Sequence, residues 1–180
     1  TILGNARRMQ RLVDDLLDIN RISRGHVELQ RGRVELASVV RHAVEGAAPL
    51  SASFGHQVTV ALPEEPIVVD GDPVRLGQVL GNLLNNACKF TPRGGRIVVH
   101  AAREGAEVVL RVRDNGLGIA ADDLPRVLDM FSQVGDPVAR THGGLGIGLA
   151  LAQRLVILHG GTLSIESAGP GQGTTVSVRL

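Results

Sequence analysis

Two β-hairpins separated by a helical stretch constrain this chain's fold more than any other feature. RIVVHAARE and EVVLRVRD flank Gly105 between residues 96 and 114, and TLSIESA and TTVSVRL flank GPGQG between residues 162 and 180. Arms rich in Val, Ile, Leu and Thr that meet at a glycine turn read as antiparallel pairs. A doubly wound parallel sheet needs strands that alternate strictly with helices, and the two hairpins argue against one. The expected class is an α/β (α+β) sandwich, with a mixed, largely antiparallel sheet, helices on one face and one amphipathic helix in front.

The other elements follow from local patterns. Residues 4–24, GNARRMQRLVDDLLDINRISR, place Met9, Leu12, Val13, Leu16 and Leu17 on one face of a helix that ends at Gly25. HVELQ reads as a short strand and roughly 36–53 as a second helix, ending between Pro49 and Phe54. QVTVAL and PIVVD read as strands separated by a PEEP turn. Asp72-Pro73 is an N-cap followed by proline at the first helical position. That helix runs to about Phe90, with Leu76, Val79, Leu80, Leu83, Leu84, Ala87 and Cys88 as its buried stripe. A short helix is expected near 122–129. The apolar helix in LGIGLALAQRLVILHG stops at Gly160-Gly161.

Composition removes several function classes. The 180 residues carry a net charge of +1 and contain no Trp or Tyr, so neither charge nor base stacking favours nucleic acid. No apolar run reaches the length of a membrane span, and no signal peptide is visible. The single cysteine, Cys88, excludes an internal disulfide and reads as a small buried residue. The chain starts in mid-pattern at TILGNARRMQ without an initiator Met, so a longer parent is expected.

Three polar motifs remain. Lys89 is the only lysine among 19 basic residues, and it forms one helical line with Asn82 and Asn86. Asn82, Asn85 and Asn86 together cost the helix roughly 1–2 kcal/mol relative to alanine, which a merely solvated face has no need to accept. Such a line is compatible with a solvated face. It is also compatible with amide oxygens that complete the shell of a hydrated Mg²⁺, beside an ammonium that meets phosphate. RVRDNGLGIA at 111–120 places Asp114 at a strand end before Gly116 and Gly118. Its GLGIAA mimics a dinucleotide fingerprint, but no long helix, parallel strand and later acid follow. A plain Asp-Asn-Gly turn and a carboxylate that accepts from the exocyclic amine of adenine both fit it. THGGLGIGLALA at 141–152 leads glycines into a helix, either a hinge or an anion site built from free N–H groups. There is no Walker G-K-[ST] and no protein-kinase signature.

In this order the motifs resemble the catalytic ATP-binding domain of bacterial sensor histidine kinases, in the superfamily shared with gyrase, the ninety-kilodalton heat-shock chaperone and mismatch-repair ATPases. RLGQVLGNLLNNACKFTP resembles that family's N box, DNGLGI its first glycine box and HGGLGIGLALAQRLVILHGG its second, while VLDMFSQV resembles the phenylalanine box through Phe131. The likeness implies a catalytic ATP-binding domain (a Bergerat-type fold) over 26–180, and the second helix of the dimerisation and phosphotransfer domain over 1–25. It implies ATP and Mg²⁺ as cofactors, Asn86 as the metal ligand with Asn82 in support, and Lys89 on the phosphates. It further implies Phe90 near the adenine, Asp114 on its amine, and Gly116 and Gly118 shaping the base pocket. Gly144, Gly146 and Gly148 would cap the triphosphate under a mobile lid, roughly 130–145, with Arg140 and His142 as lid contacts. The implied partners are a second copy through the dimerisation helices and a response-regulator receiver domain, in the cytoplasm, with no nucleic acid and no membrane contact by this segment.

Two departures bear on activity. The family's phosphoacceptor histidine is followed directly by Glu or Asp, whereas the six histidines here precede Val27, Ala43, Gln57, Ala101, Gly143 and Gly160. The acceptor is therefore expected on a helix outside this chain, and His26, His42, His56, His100 and His159 read as structural. The superfamily's hydrolases place a glutamate base where this chain has Asn82, which cannot take a proton. That favours phosphoryl transfer over hydrolysis. A non-catalytic ATP-binding regulatory module is the alternative.

Overall fold

The computed structural model describes Val13, Leu17, Asp18, Asn20, residues 28–132 and residues 146–180. A two-stranded sheet pairs β1 (Gly32–Glu35) antiparallel with β3 (Val68–Gly71). The main sheet has five strands in the order β2 (Gln57–Ala61), β4 (Arg96–Glu104), β5 (Glu107–Asp114), β7 (Thr174–Arg179), β6 (Thr162–Glu166). Both predicted hairpins form, and only β2 runs parallel to its neighbour, β4. The sheet is mixed and largely antiparallel, as the hairpins required.

Among the described residues, three helices cover one face of the sheet. α1 (Leu36–Phe54) buries Leu36, Val39, Val40, Ala43 and Ala47, a helical stripe. It ends in a Schellman turn, where left-handed Gly55 donates to the Ala52 carbonyl and His56 to the Ser51 carbonyl. α2 (Pro73–Phe90) buries the stripe read from the sequence, Leu76, Val79, Leu80, Leu83, Leu84, Ala87 and Cys88. Its start is fixed by Asp72, whose Oδ1 accepts from the N–H groups of Val74 (3.0 Å) and Arg75 (3.1 Å). α3 (Gly148–Leu158) buries Ala150, Leu151, Ala152, Leu155 and Val156. Facing these helices, Ile97, Val99 and Ala101 of β4 alternate inward with Leu110 and Val112 of β5. Burying side chains such as Leu80, Leu84 and Leu151 stabilises the fold by about 1.5–3 kcal/mol each.

Two local expectations need correction. The predicted HVELQ strand is displaced: residues 28–30 are irregular and the strand is β1, at 32–35, because its pairing with β3 decides where it lies. The helix expected near 122–129 is a single 3₁₀ turn at Leu124–Arg126, whose i→i+3 bonds continue only as turns. Pro125 lacks the N–H that a longer helix would use there. Val13 and Leu17, the two described members of the 4–24 stripe, do not pack on the domain: both are helical but 52% and 50% exposed. Met9, Leu12 and Leu16 lie outside the described residues. Instead Asp18 docks, its Oδ2 accepting from Arg75 Nη1 and Gln78 Nε2 of α2, both at 2.8 Å. No described helix is long and apolar enough to cross a membrane.

Candidate functional site

The inward alternation of β5 runs Leu110, Val112, Asp114, so the strand period that builds the core also drives a carboxylate into it. Asp114 is 8% exposed. Its Oδ1 accepts from the Gly116 N–H at 2.8 Å and the Thr174 N–H at 3.3 Å. Burial pushes its carboxyl above the ordinary range, and the two backbone donors offset this only in part. Thr174 lies directly across from it in the β5–β7 register. Sequence reading missed Thr174, having treated GPGQGTTV as a turn and a strand. Only the register of β7 reveals the contact.

The loop after Asp114 is held on both sides. Leu117 N–H donates to the Phe90 carbonyl at 2.9 Å, which ties the loop to the end of α2. A Cβ at Gly116 would run into that same carbonyl, and one at Gly118, which is left-handed at φ +66, would run into the Gly169 carbonyl. Glycine is therefore sterically required at both positions. The Phe90 side chain is partly exposed beside this junction. Asn115 has a structural part: its Oδ1 accepts from the Arg96 N–H at 2.7 Å.

On α2, Asn82, Asn86 and Lys89 lie on one face, each half-buried. Asn82 Nδ2 donates to the Gly148 carbonyl at 3.1 Å, which sets this polar line against the start of α3. That start has Ile147 at the N-cap and no side-chain cap, so its first N–H groups are available to an anion. Gly146 is left-handed (φ +69) and its carbonyl accepts from the Phe131 N–H at 3.2 Å. Phe131 itself is exposed, with a positive φ of 65. Gly144, Arg140 and His142 lie outside the described residues, as does most of the expected lid. The structure thus brings Asn82 together with Gly148, with Asn86 and Lys89 further along the same face of α2, and Asp114 together with Gly116, Gly118 and the end of α2.

Asn86 makes no side-chain hydrogen bond among the described residues, which leaves its amide oxygen available. No group of three or more His, Cys, Asp or Glu side chains among those residues is placed to hold a metal. This donor set fits a hydrated Mg²⁺ that takes one amide oxygen with phosphate and water, rather than an ion caged by protein. Of the histidines read as structural, three are described with their bonds. His42 Nδ1 meets the Ser38 carbonyl, His56 Nε2 the Thr91 and Pro92 carbonyls, and His159 bridges two helices.

Comparison with known proteins places the chain in a family. Residues 71–180 match the family described as "Histidine kinase-, DNA gyrase B-, and HSP90-like ATPase". Sensor histidine kinase RcsC of Escherichia coli (strain K12) is 36% identical over 172 residues, covering 94% of this chain and 18% of that protein. Histidine protein kinase DivJ of Caulobacter vibrioides is 40% identical over 169 residues, covering 94% and 28%. The crystal structure of full-length ShkA in complex with AMPPNP superposes with a TM-score of 0.84 at 28% identity, covering 98% of this chain and 36% of that one. The chain thus spans less than a third of the length of RcsC and DivJ and 36% of the ShkA chain. It belongs to the histidine kinase-, DNA gyrase B- and HSP90-like ATPase family, as the ATPase domain found in sensor histidine kinases.

Proposed function

We propose that this chain is the catalytic segment of a two-component sensor histidine kinase, with residues 26–180 as the ATP-binding domain and 1–25 as part of a dimerisation helix. It works in the cytoplasm, presents ATP to a histidine on a dimerisation helix outside these 180 residues, and serves a response-regulator receiver domain. In the transfer, a ring nitrogen of that histidine bonds the γ-phosphorus as the bond to the β–γ bridging oxygen breaks. ADP leaves with the electron pair and the ring gives up its proton to solvent. The observation that carries this reading is the Asn82–Gly148 bond, which sets an amide-and-ammonium line beside an uncapped helix start.

Each residue's part follows from its chemistry. Asp114 accepts from the adenine amine, and Gly116 and Gly118 let backbone approach the base. Phe90 borders it, and Gly144, Gly146 and Gly148 lead the phosphates onto the start of α3. Lys89 meets them as a compact charge. Asn86 offers the amide oxygen that would hold Mg²⁺, and Asn82 supports it. Bound Mg²⁺ supplies charge neutralisation for the triphosphate. Asn82 cannot serve as a base for water, which leaves positioning as the main catalytic device.

The test incubates labelled ATP with the segment, alone and with the dimerisation helix supplied in the same chain or as a separate domain. The expected result is little turnover alone, and protein-bound label that is acid-labile and base-stable when the helix is present. Asn86→Ala should abolish that label. Rapid phosphate release by the segment alone, with no label on the supplied helix, refutes the kinase reading.

A further inference from the structure

We propose that Ser167, just past the end of β6, is a positioning residue that holds the adenine-recognition loop in register with Asp114, an inference that rests on the nucleotide reading above. Its Oγ accepts from the Ile119 N–H at 3.0 Å and donates its one proton to the Gly173 carbonyl at 2.7 Å. That hydroxyl therefore joins the far end of the Gly116–Ile119 loop to the glycine turn between β6 and β7. Around it the same two segments are stitched by backbone: Gly171 N–H to the Leu117 carbonyl at 2.6 Å, and Gly173 N–H to the Gly116 carbonyl at 3.1 Å. Among the described residues, Asp114 and Ser167 are the only side chains that hydrogen-bond the 116–119 backbone. Both also bond the 173–174 stretch, Ser167 at the Gly173 carbonyl and Asp114 at the Thr174 N–H. Ser167 further lines a cleft that opens beside Asp114, together with Gln172 and Thr174.

Removing the hydroxyl leaves the Ile119 N–H and the Gly173 carbonyl without their shared partner. The loop then keeps its ties at Gly116 and Leu117 but loses the one at Ile119, so the far end of the backbone that shapes the base pocket moves relative to the Asp114 carboxylate. The phosphate end, built on α2 and the start of α3, shares none of these bonds. Base recognition is therefore the property that Ser167 controls.

The test titrates the full 180-residue chain, and its Ser167→Ala, Ser167→Thr and Ser167→Cys variants, with Mg-ADP and Mg-GDP by calorimetry. Hydrogen exchange at the Ile119 amide is followed in parallel. Ser167→Ala should bind ADP about tenfold more weakly with GDP little changed, so that base discrimination narrows, and exchange at Ile119 should quicken. Ser167→Thr, which keeps the hydroxyl, should restore both, and Ser167→Cys should follow Ala if Ala does not fold. Parental ADP affinity in the Ala or Cys variant overturns the proposal. So does an equal loss of ADP and GDP with a lowered melting temperature, since that is a merely structural effect. A parent chain that fails to bind Mg-ADP overturns the nucleotide reading itself, and this inference with it.

Discussion

Replacing Asp114 by asparagine should move stability and binding in opposite directions. Both backbone donors to Asp114, Gly116 and Thr174, meet Oδ1, and an asparagine Oδ1 can keep them. What changes is the other oxygen, which becomes an NH₂ that, in the proposed base pocket, would face the adenine amine donor to donor. Losing a hydrogen bond to a charged acceptor costs about 1.5–3 kcal/mol, so ADP should bind roughly ten- to a hundredfold more weakly. Guanine carries a carbonyl at that position, which the new NH₂ can serve, so the preference for adenine should vanish or invert. Stability follows from burial, which raises the Asp114 carboxyl. The folded chain then holds that proton more tightly than the unfolded one does. Stability falls as pH climbs from the ordinary carboxylate range through the raised value, and the deficit persists at neutral pH. Asparagine carries no such deficit. The nucleotide-free variant should melt at or above the parent at neutral pH, with the advantage fading in acid. Calorimetric titration with ADP and GDP, and melts from acid to neutral pH, check both halves. ADP affinity within about twofold of the parent refutes the assignment of Asp114.

Asp72→Ala removes the acceptor of three backbone N–H groups, those of Val74, Arg75 and Gln30. It should cost about 2–3 kcal/mol and lower the melting temperature by roughly 5–10 °C. Burial is the largest single influence on the Asp72 carboxyl and pushes it up, but those N–H groups and the Arg75 charge outweigh it and hold it below its usual range. Its contribution is therefore full above the ordinary carboxylate range and lost as pH falls through the depressed value, and the gap between parent and variant in melts should close there. The exposed Val13 and Leu17 should drive self-association, which Val13→Glu with Leu17→Glu abolishes in analytical ultracentrifugation. A parent chain that stays monomeric at high concentration refutes this.

What could be read from the sequence was what is locally encoded. α2 was legible because its cap, its proline, its apolar stripe and its stop at Thr91-Pro92 all lie within one segment. Both hairpins were legible because their partners adjoin across short turns. The position of β1 and the parallel pairing of β2 with β4 were not, since those partners lie dozens of residues away and the choice is made by tertiary packing. The site divides in the same way. Asp114 stood out as an acid at a strand end before glycines, whereas Thr174 and Ser167 belong to it only through the register that brings the β6–β7 turn against the 116–119 loop.

The two helices around the proposed phosphate site are clamped at both ends, and the two clamps should have separable effects. α2 and α3 pack antiparallel: Asn82 Nδ2 donates to the Gly148 carbonyl at one end, while at the other His159 Nε2 accepts from the Asp72 N–H at 3.0 Å. His159 Nδ1–H meets the Leu155 carbonyl at 2.7 Å, which fixes the neutral tautomer that can accept at Nε2. The ring is buried against Gly71, where a Cβ would come within 3.1 Å of it. The ten residues between Asp72 and Asn82 place the His159 clamp about 15 Å along the helix from the proposed site. His159→Leu keeps an apolar filling but leaves the buried Asp72 N–H without its acceptor, at a cost of about 1–3 kcal/mol. It should therefore lower the melting temperature while ADP affinity stays within about twofold of the parent. Asn82→Ala should do the reverse, with a small loss of stability on a half-buried face and a larger loss of Mg-ADP affinity. Melting curves and calorimetry on both variants decide it. If His159→Leu, while still folded, weakens ADP binding as much as Asn82→Ala does, the two ends are not independent and the separation drawn here is wrong.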